Sequence, residues 1–309
     1  MGGRRWALAL VGLGFGFGCG GGGGDGTTTP FDPPPGSGSA NTDATSSDTQ
    51  TDGPTSGATA TSTPTTTATD SASGADSTGD ETTGSVDDSG GVGLDPPAGG
   101  SSGGAGGAAA NGEQRTTDTG VTYFVIAPAD AGPLPAMIVY SGTEGGGTMT
   151  QNLLGAAGAT GNTGTVFAVL DGVTYNGNGQ AGADVLDDVR ADYDIDNDRT
   201  YLLSESAGTS AGLQLGLQLR QSYFAAYWAN DVNTSETPLL TSAELGFEPF
   251  GNAGPGGDFA DADAIVAGMV AAGYRTPPPA PYDGPGAGSH GDPQQFIAAL
   301  SWFPGKTRQ

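Results

Sequence analysis

Among 309 residues the chain has one cysteine and one histidine, and it sets nine lysines and arginines against 34 aspartates and glutamates. Each scarcity removes a class of protein. A single thiol cannot form a disulfide within the chain, so whatever folds is held by packing. One histidine and one cysteine are too few for the usual nitrogen and sulfur ligand sets of a zinc-type centre, and no metal is expected. A formal net charge of -25, with no basic stretch to offset it, repels phosphate backbones and excludes nucleic acid as a partner. The glycine-rich runs lack the Lys-Ser/Thr pair of a phosphate-binding loop, and no cofactor is expected.

What is present is unevenly distributed. Residues 1–18 read as an export signal: Arg4 and Arg5, an apolar run diluted by glycine over residues 6–17, then Gly18 and Cys19. The run falls short of the ~20 apolar residues of a permanent membrane span. Gly18-Cys19 resembles a bacterial lipobox, which implies cleavage before Cys19 and acylation of its thiol; Gly16 stands where such boxes usually carry an aliphatic. The alternative is a plain secretory peptide with an incidental cysteine. The lipoprotein reading is preferred because the chain's only cysteine falls where acylation requires it. The paired arginines lack the rest of a twin-arginine motif, so Sec export is the expectation, with a lipid anchor at the bacterial cell envelope, facing the periplasm or the outside.

Residues 19–114 are expected to be a disordered acidic tether. Between residues 20 and 112 there is no lysine or arginine and Phe31 is the only aromatic. Such a composition buries too little apolar surface to offset the entropy of ordering it. Glycine and serine loosen it, whereas prolines and like charges extend it.

Residues 115–309 hold the expected folded domain, enough chain for one sizeable core. Residues 121–128 read as an opening strand ended by Pro128. The continuous apolar runs 136–140 and 165–170 suit strands covered on both faces. Helices are expected over 151–159, 181–193, 211–221, 260–272 and 293–302, and further strands at Tyr201, over 224–228 and over 245–250. Strands alternating with helices predict an α/β domain, a mostly parallel sheet with helices on both faces. The proline-rich stretch 276–282 is confined to an edge or to irregular structure. Residues 192–198 begin like a calcium loop, but Asn197 replaces its glycine and Leu203 its bidentate glutamate, so a solvated helix-to-strand turn is expected.

At the centre, the strand at Tyr201 breaks into Ser204-Glu205-Ser206-Ala207-Gly208 and then a helix-forming run. This approximates the G-x-S-x-G turn that lifts a nucleophilic serine clear of a strand, with Ser204 in place of the first glycine. The domain resembles secreted α/β-hydrolase esterases of the polyhydroxybutyrate depolymerase and feruloyl esterase type. The matching residues are a strand running into Ser141-Gly142, Asp194 and Asp196 before Arg199-Thr200-Tyr201, the Ser206 turn, and a late Gly288-Ser289-His290-Gly291-Asp292. Departures are Ser141 where the family carries histidine and Thr209 where a second glycine is common. The resemblance implies hydrolysis of a carboxylic ester through an acyl-enzyme.

A serine hydroxyl needs a base with a pKa near the working pH, and His290 is the only imidazole. The fold's chain order demands an acid between Ser206 and His290. Asp258, following a glycine-rich turn and preceding a helix, is the expected acid; it equally suits a helix N-cap, and Asp261 and Asp263 are fallbacks. The oxyanion is expected to meet the backbone N–H of Ala207 and, from the loop after the second apolar strand, that of Thr143, with Glu144 an awkward neighbour if it points inward. The expected partners are an ester substrate, small or polymeric, and a membrane through the N-terminal lipid. Two other readings stay open: a hydrolase-like surface binding module without activity, and acyl transfer or peptide cleavage by the same residues. Replacing Cys19 (Cys19→Ser) is expected to release the protein in soluble form, and globomycin to block its maturation; a variant that stays with the membrane fraction would exclude the lipid anchor.

Overall fold

The computed structural model describes residues 99–308; the export signal, Cys19 and the expected tether up to residue 98 lie outside the described residues. Seven strands form one sheet: β1 (Ala110–Thr116), β2 (Thr122–Ala127), β3 (Leu134–Tyr140), β4 (Val166–Leu170), β5 (Ile195–Glu205), β6 (Ala226–Asn230) and β7 (Phe250–Ala253), in the order β1-β2-β4-β3-β5-β6-β7. β1 and β2 form an antiparallel margin, and β4, β3, β5, β6 and β7 run parallel. The helices are α1 (Gly146–Ala156), α2 (Gly179–Asp192), α3 (Thr209–Gln214, continuing as one π-helical turn, Leu215–Leu219), α4 (Ser242–Leu245), α5 (Phe259–Ala271) and α6 (Pro293–Trp302).

The apolar run of β3 is buried from Ala136 to Tyr140, and its side chains divide between two cores as the pleat requires. Ala136, Ile138 and Tyr140 join the core completed by α2, α3 and α5; Met137 and Val139 join the one completed by α1 and α6. The expected α/β layering is therefore present, with helices on both faces.

The helix after β5 lies unusually close to the sheet because its inner ridge lacks side chains. Gly208, Gly212 and Gly216 recur every four residues on one face. A Cβ at Gly208 would stand 2.6 Å from Ser141 O, one at Gly212 2.6 Å from Ser204 Oγ, and one at Gly216 2.5 Å from Leu202 Cδ2. Real Cβ atoms do not tolerate such separations, so glycine sets the helix-to-strand distance.

Three sequence expectations change. The tether expected through residue 114 is shorter, since order begins before β1: Ser102 N–H donates to Ile195 O (2.8 Å) and Gly107 N–H to Asp192 O (2.7 Å). Gly104 and Gly107 lie directly against the Tyr193 backbone and ring. These contacts are made by bare backbone, which composition does not reveal. The strand expected over 245–250 is absent: Leu245 closes the short helix α4, which is nucleated by a reciprocal Thr241/Glu244 capping box and ended by Gly246 at φ 74, residues 247–249 are irregular, and β7 starts only at Phe250. The helix expected over 211–221 starts two residues earlier and widens into its π-turn. The stretch 276–282 is irregular, as its prolines required, and only Arg275 before it forms a parallel bridge, to Phe250.

Gly212→Ala improves helix propensity by about 1 kcal/mol, but its methyl would meet Ser204 inside the packed layer. A net loss of about 1–3 kcal/mol in chemical denaturation is expected; a stabilised variant would show that the close approach does not depend on glycine.

Candidate active site

The parallel strands end on one edge, and the first residues beyond four of them form the site: Ser141-Gly142 after β3, Asp171 after β4, Ser206 after β5 and Asp231 after β6. In open α/β sheets ligands bind outside this carboxyl edge. Register brings the residues side by side. Glu205 pairs with Asn230, so Ser206 and Asp231 leave the sheet together, and Tyr140 pairs with Ser204, which sets Gly142 beside Ser206.

Ser206 and Asp231 have φ of 50 and 49, the only positive values for non-glycine residues in the described chain. Each conformation costs of order 1–3 kcal/mol and persists only where surrounding structure imposes it. At Ser206 the strand turns within one residue into a single 3-10 turn, Ser206–Gly208, that leads into α3. A serine hydroxyl raised on a strained turn between a parallel strand and a helix, in a sheet of this order, decides the architecture. The chain has the α/β-hydrolase fold.

The hydrolase turn meets the sole imidazole. Ser206 Oγ and His290 Nε2 lie 2.7 Å apart, joined by a hydrogen bond whose donor is set by the imidazole tautomer. His290 is exposed in the loop before α6, whereas Ser206 is only 9% exposed. Asp231, 1% exposed, fixes that loop: its Oδ2 accepts from Gly291 N–H and its Oδ1 from Gln295 Nε2, each at 2.6 Å. Burial pushes the Asp231 carboxyl above the usual range, while the Gly291 bond, the neighbouring His290 and Gln295 pull it back. Asn233 Nδ2 donates to Ser206 O at 3.0 Å and steadies the turn from the same β6 loop.

Asp258 caps a helix. It is exposed, it forms the N-cap of α5, and its Oδ1 accepts from Asp261 N–H at 3.2 Å. The capping alternative accounts for it, and Asp261 and Asp263 belong to α5 itself. The carboxylate facing His290 is Asp231, which sequence reasoning missed. Its signal was an aspartate three residues past the apolar run 224–228; the strand extends to Asn230, which puts Asp231 at the strand's end.

Ala207 is the second residue of the 3-10 turn, where backbone N–H groups have no partner within the helix. Thr143 is exposed; the backbone that lies against Ser206 is that of Gly142, where a Cβ would stand 3.2 Å from Ser206 Cβ. Glu144 does point inward, and its Oε1 accepts from Gly142 N–H at 3.0 Å. Behind Ser206, Glu205 is 3% exposed, with Oε2 unpartnered among the described residues. Burial, then the charges of Glu144 and Asp231, hold its carboxyl well above the usual value. Among the described residues no group of three or more His, Cys, Asp or Glu side chains could hold a metal ion, and no helix is long and apolar enough to cross a membrane.

No family model and no curated protein matches the sequence. Among solved structures the chain is similar to a thermostable esterase (12% identity, covering 64% of this chain and 63% of that one, TM-score 0.47). It is also similar to a feruloyl esterase module from Clostridium thermocellum complexed with sinapinate (13% identity, 69% of this chain and 91% of that one, TM-score 0.43). A third likeness is to a thermophilic carboxylesterase cloned from a metagenomic library (16% identity, 52% and 56%, TM-score 0.33). The chain thus spans less than two thirds of the length of the thermostable esterase.

Glu205 generates a stability prediction. Above the ordinary glutamate range the unfolded chain ionises while the folded protein keeps this proton, so wild-type stability falls as pH rises, by up to about 1.4 kcal/mol per pH unit. Glu205→Gln removes that slope. The melting temperatures of variant and wild type should converge around pH 4 and separate in the variant's favour around pH 8; a difference independent of pH would mean that the buried carboxyl is ionised in the folded state.

Proposed function

We propose that the domain is a serine hydrolase of carboxylic esters, with Ser206 as nucleophile, His290 as general base and acid, and Asp231 as the carboxylate that holds and electrostatically supports the imidazole. The observation that carries this reading is the 2.7 Å contact between the strained Ser206 hydroxyl and His290 Nε2. In the first half-reaction Ser206 Oγ bonds to the ester carbonyl carbon as its proton passes to His290 Nε2. The carbon–oxygen bond to the alcohol then breaks, and the alcohol leaves with that proton. Water repeats the sequence on the acyl-serine: its proton goes to His290, its oxygen bonds to the carbonyl carbon, and the acid departs as Ser206 recovers a proton. Negative charge on the carbonyl oxygen falls to the N–H of Ala207 and to the Gly142–Thr143 backbone.

A polar cleft of about 330 Å³, lined by Ser210, Gln214, Thr234 and Glu236 among others, opens along α3; Ser206 and His290 do not line it. Export and a lipid anchor on Cys19 complete the proposal: the hydrolase is held at the cell envelope and acts on esters outside the cytoplasm. The second reading, an inactive binding module, gains from Ser141 and Thr209, where the related pattern has histidine and glycine.

Turnover of p-nitrophenyl acetate and labelling by a fluorophosphonate probe separate the two. Ser206→Ala should abolish both, Asp231→Asn should reduce kcat by about 10²–10⁴-fold, and Asp258→Asn should stay within about threefold of wild type, as expected of an exposed cap. Labelling that persists in Ser206→Ala, or activity that depends on Asp258 and not on Asp231, would refute the assignment.

A further inference from the structure

The loop that should receive the substrate's carbonyl oxygen is already engaged. Glu144 folds back over its own turn, and its Oε1 accepts from Gly142 N–H at 3.0 Å. Its other oxygen lies on the flank of Gly142 that faces the nucleophile: the point where a Gly142 Cβ would stand is 2.6 Å from Glu144 Oε2 and 3.2 Å from Ser206 Cβ. The turn fixes this arrangement, because Gly145 N–H closes onto Gly142 O and Gly145 takes φ 83 before α1 begins. On the far side Asp171 ties the same loop down, accepting from Gly146 N–H at 3.2 Å and Thr174 N–H at 2.8 Å.

We propose that Glu144 determines specificity by self-occupancy: its carboxylate sits against the backbone donor that a substrate's carbonyl oxygen would use, and an ester reacts only by displacing it. The inference rests on the hydrolase reading and adds a substrate class. A carbonyl oxygen and a carboxylate oxygen compete for one N–H, and the carboxylate is the stronger acceptor because it is charged. The groups around it sharpen the selection. Glu205 from β5, Asp231 from β6 and Asp171 from β4 are all carboxyls, and His290 is the only basic side chain in the site. An acyl group bearing its own negative charge near the carbonyl would have to displace one carboxylate while approaching others. The site is therefore built for neutral or cationic acyl groups.

Burial, and the charges of Asp171 and Asp231, raise the Glu144 pKa, whereas the N–H bonds of its own turn lower it. Within this field a less charged Glu144 is more easily displaced.

The test uses the full chain with Glu144→Ala and Glu144→Gln, two esters (neutral p-nitrophenyl acetate and anionic mono-p-nitrophenyl succinate), and the labelling rate of a fluorophosphonate probe. Loss of one oxyanion donor typically costs 10²–10³ in rate, so release of a blocked one should raise kcat/KM for the acetate about tenfold or more in Glu144→Ala. The gain should be larger for the succinate and should appear also in probe labelling. Glu144→Gln should fall between, since its amide oxygen still accepts from Gly142 N–H but without charge. A merely structural role would slow both esters equally. If wild type is active and both variants are equal or slower on both esters, self-occupancy is overturned while the hydrolase stands; a loss in Glu144→Ala rescued by Glu144→Gln would make Glu144 a donor and overturns it likewise. If wild type and both variants are inert to esters and probe, the hydrolase reading fails and the inference with it.

Discussion

The carboxylate of Asp231 ties together parts of the chain that nothing else in the site connects. It follows β6 in a left-handed conformation and accepts one hydrogen bond from Gly291 and one from Gln295, 60 and 64 residues later in the chain. Gly291 adjoins His290, so the aspartate sets where the exposed imidazole stands. Gln295 carries the restraint further, its Oε1 accepting from Gly256 N–H at 3.2 Å beyond β7. Without these bonds the loop before α6 keeps the Gly257 N–H bond to Ala287 O and the Asp292 cap on Gln294 N–H, neither of which engages His290 or Gly291. The Ser206–His290 contact therefore depends on an interaction that includes neither residue.

Around that anchor the site concentrates negative charge. Glu144, Glu205 and Asp231 converge beneath one serine, and burial raises all three above ordinary carboxyl values. In a low-dielectric pocket close carboxyls resist simultaneous ionisation. Asp231 meets the problem with two charge-assisted hydrogen bonds and an imidazole, Glu144 with a backbone N–H. Glu205 has little help beyond the Asn230 amide, and its carboxyl is held well above the usual value. Two strained backbones and three perturbed carboxyls gathered at one sheet edge are the pattern of a functional site rather than of a structural turn.

The carboxyl edge supplies this geometry because four neighbouring strands end together. Their layers are kept close by glycines: Gly208 on α3 and Gly172 after β4 both lie against the Ser141 backbone. Ser204, which replaces a glycine of the familiar turn, is accommodated by Gly212 opposite it and by a 2.9 Å hydrogen bond to Tyr227 OH. The departure from pattern is thus compensated in the packing.

Periodicity made the alternating elements legible, because a doubly covered strand such as 136–140 must be apolar throughout and a helix face must repeat. The Ser206 turn and the lone His290 were legible for a different reason: each was the sole residue of its kind in a suitable local pattern. Asp231 was not, since an acid's partner lies 60 residues away and a local reading cannot separate it from Asp258, which has the better helix-cap context. Nor was the ordering of residues 99–114, where bare glycine backbone packs on Tyr193 and a small serine, Ser102, bonds to Tyr193 O and Ile195 N–H. Composition and local pattern decided the class of fold and two candidate residues, because those properties reside in adjacent positions. Which carboxylate faces the imidazole, and which one fills the space beside the serine, was decided by strand register and loop closure, because distances between remote segments exist only once the chain has folded.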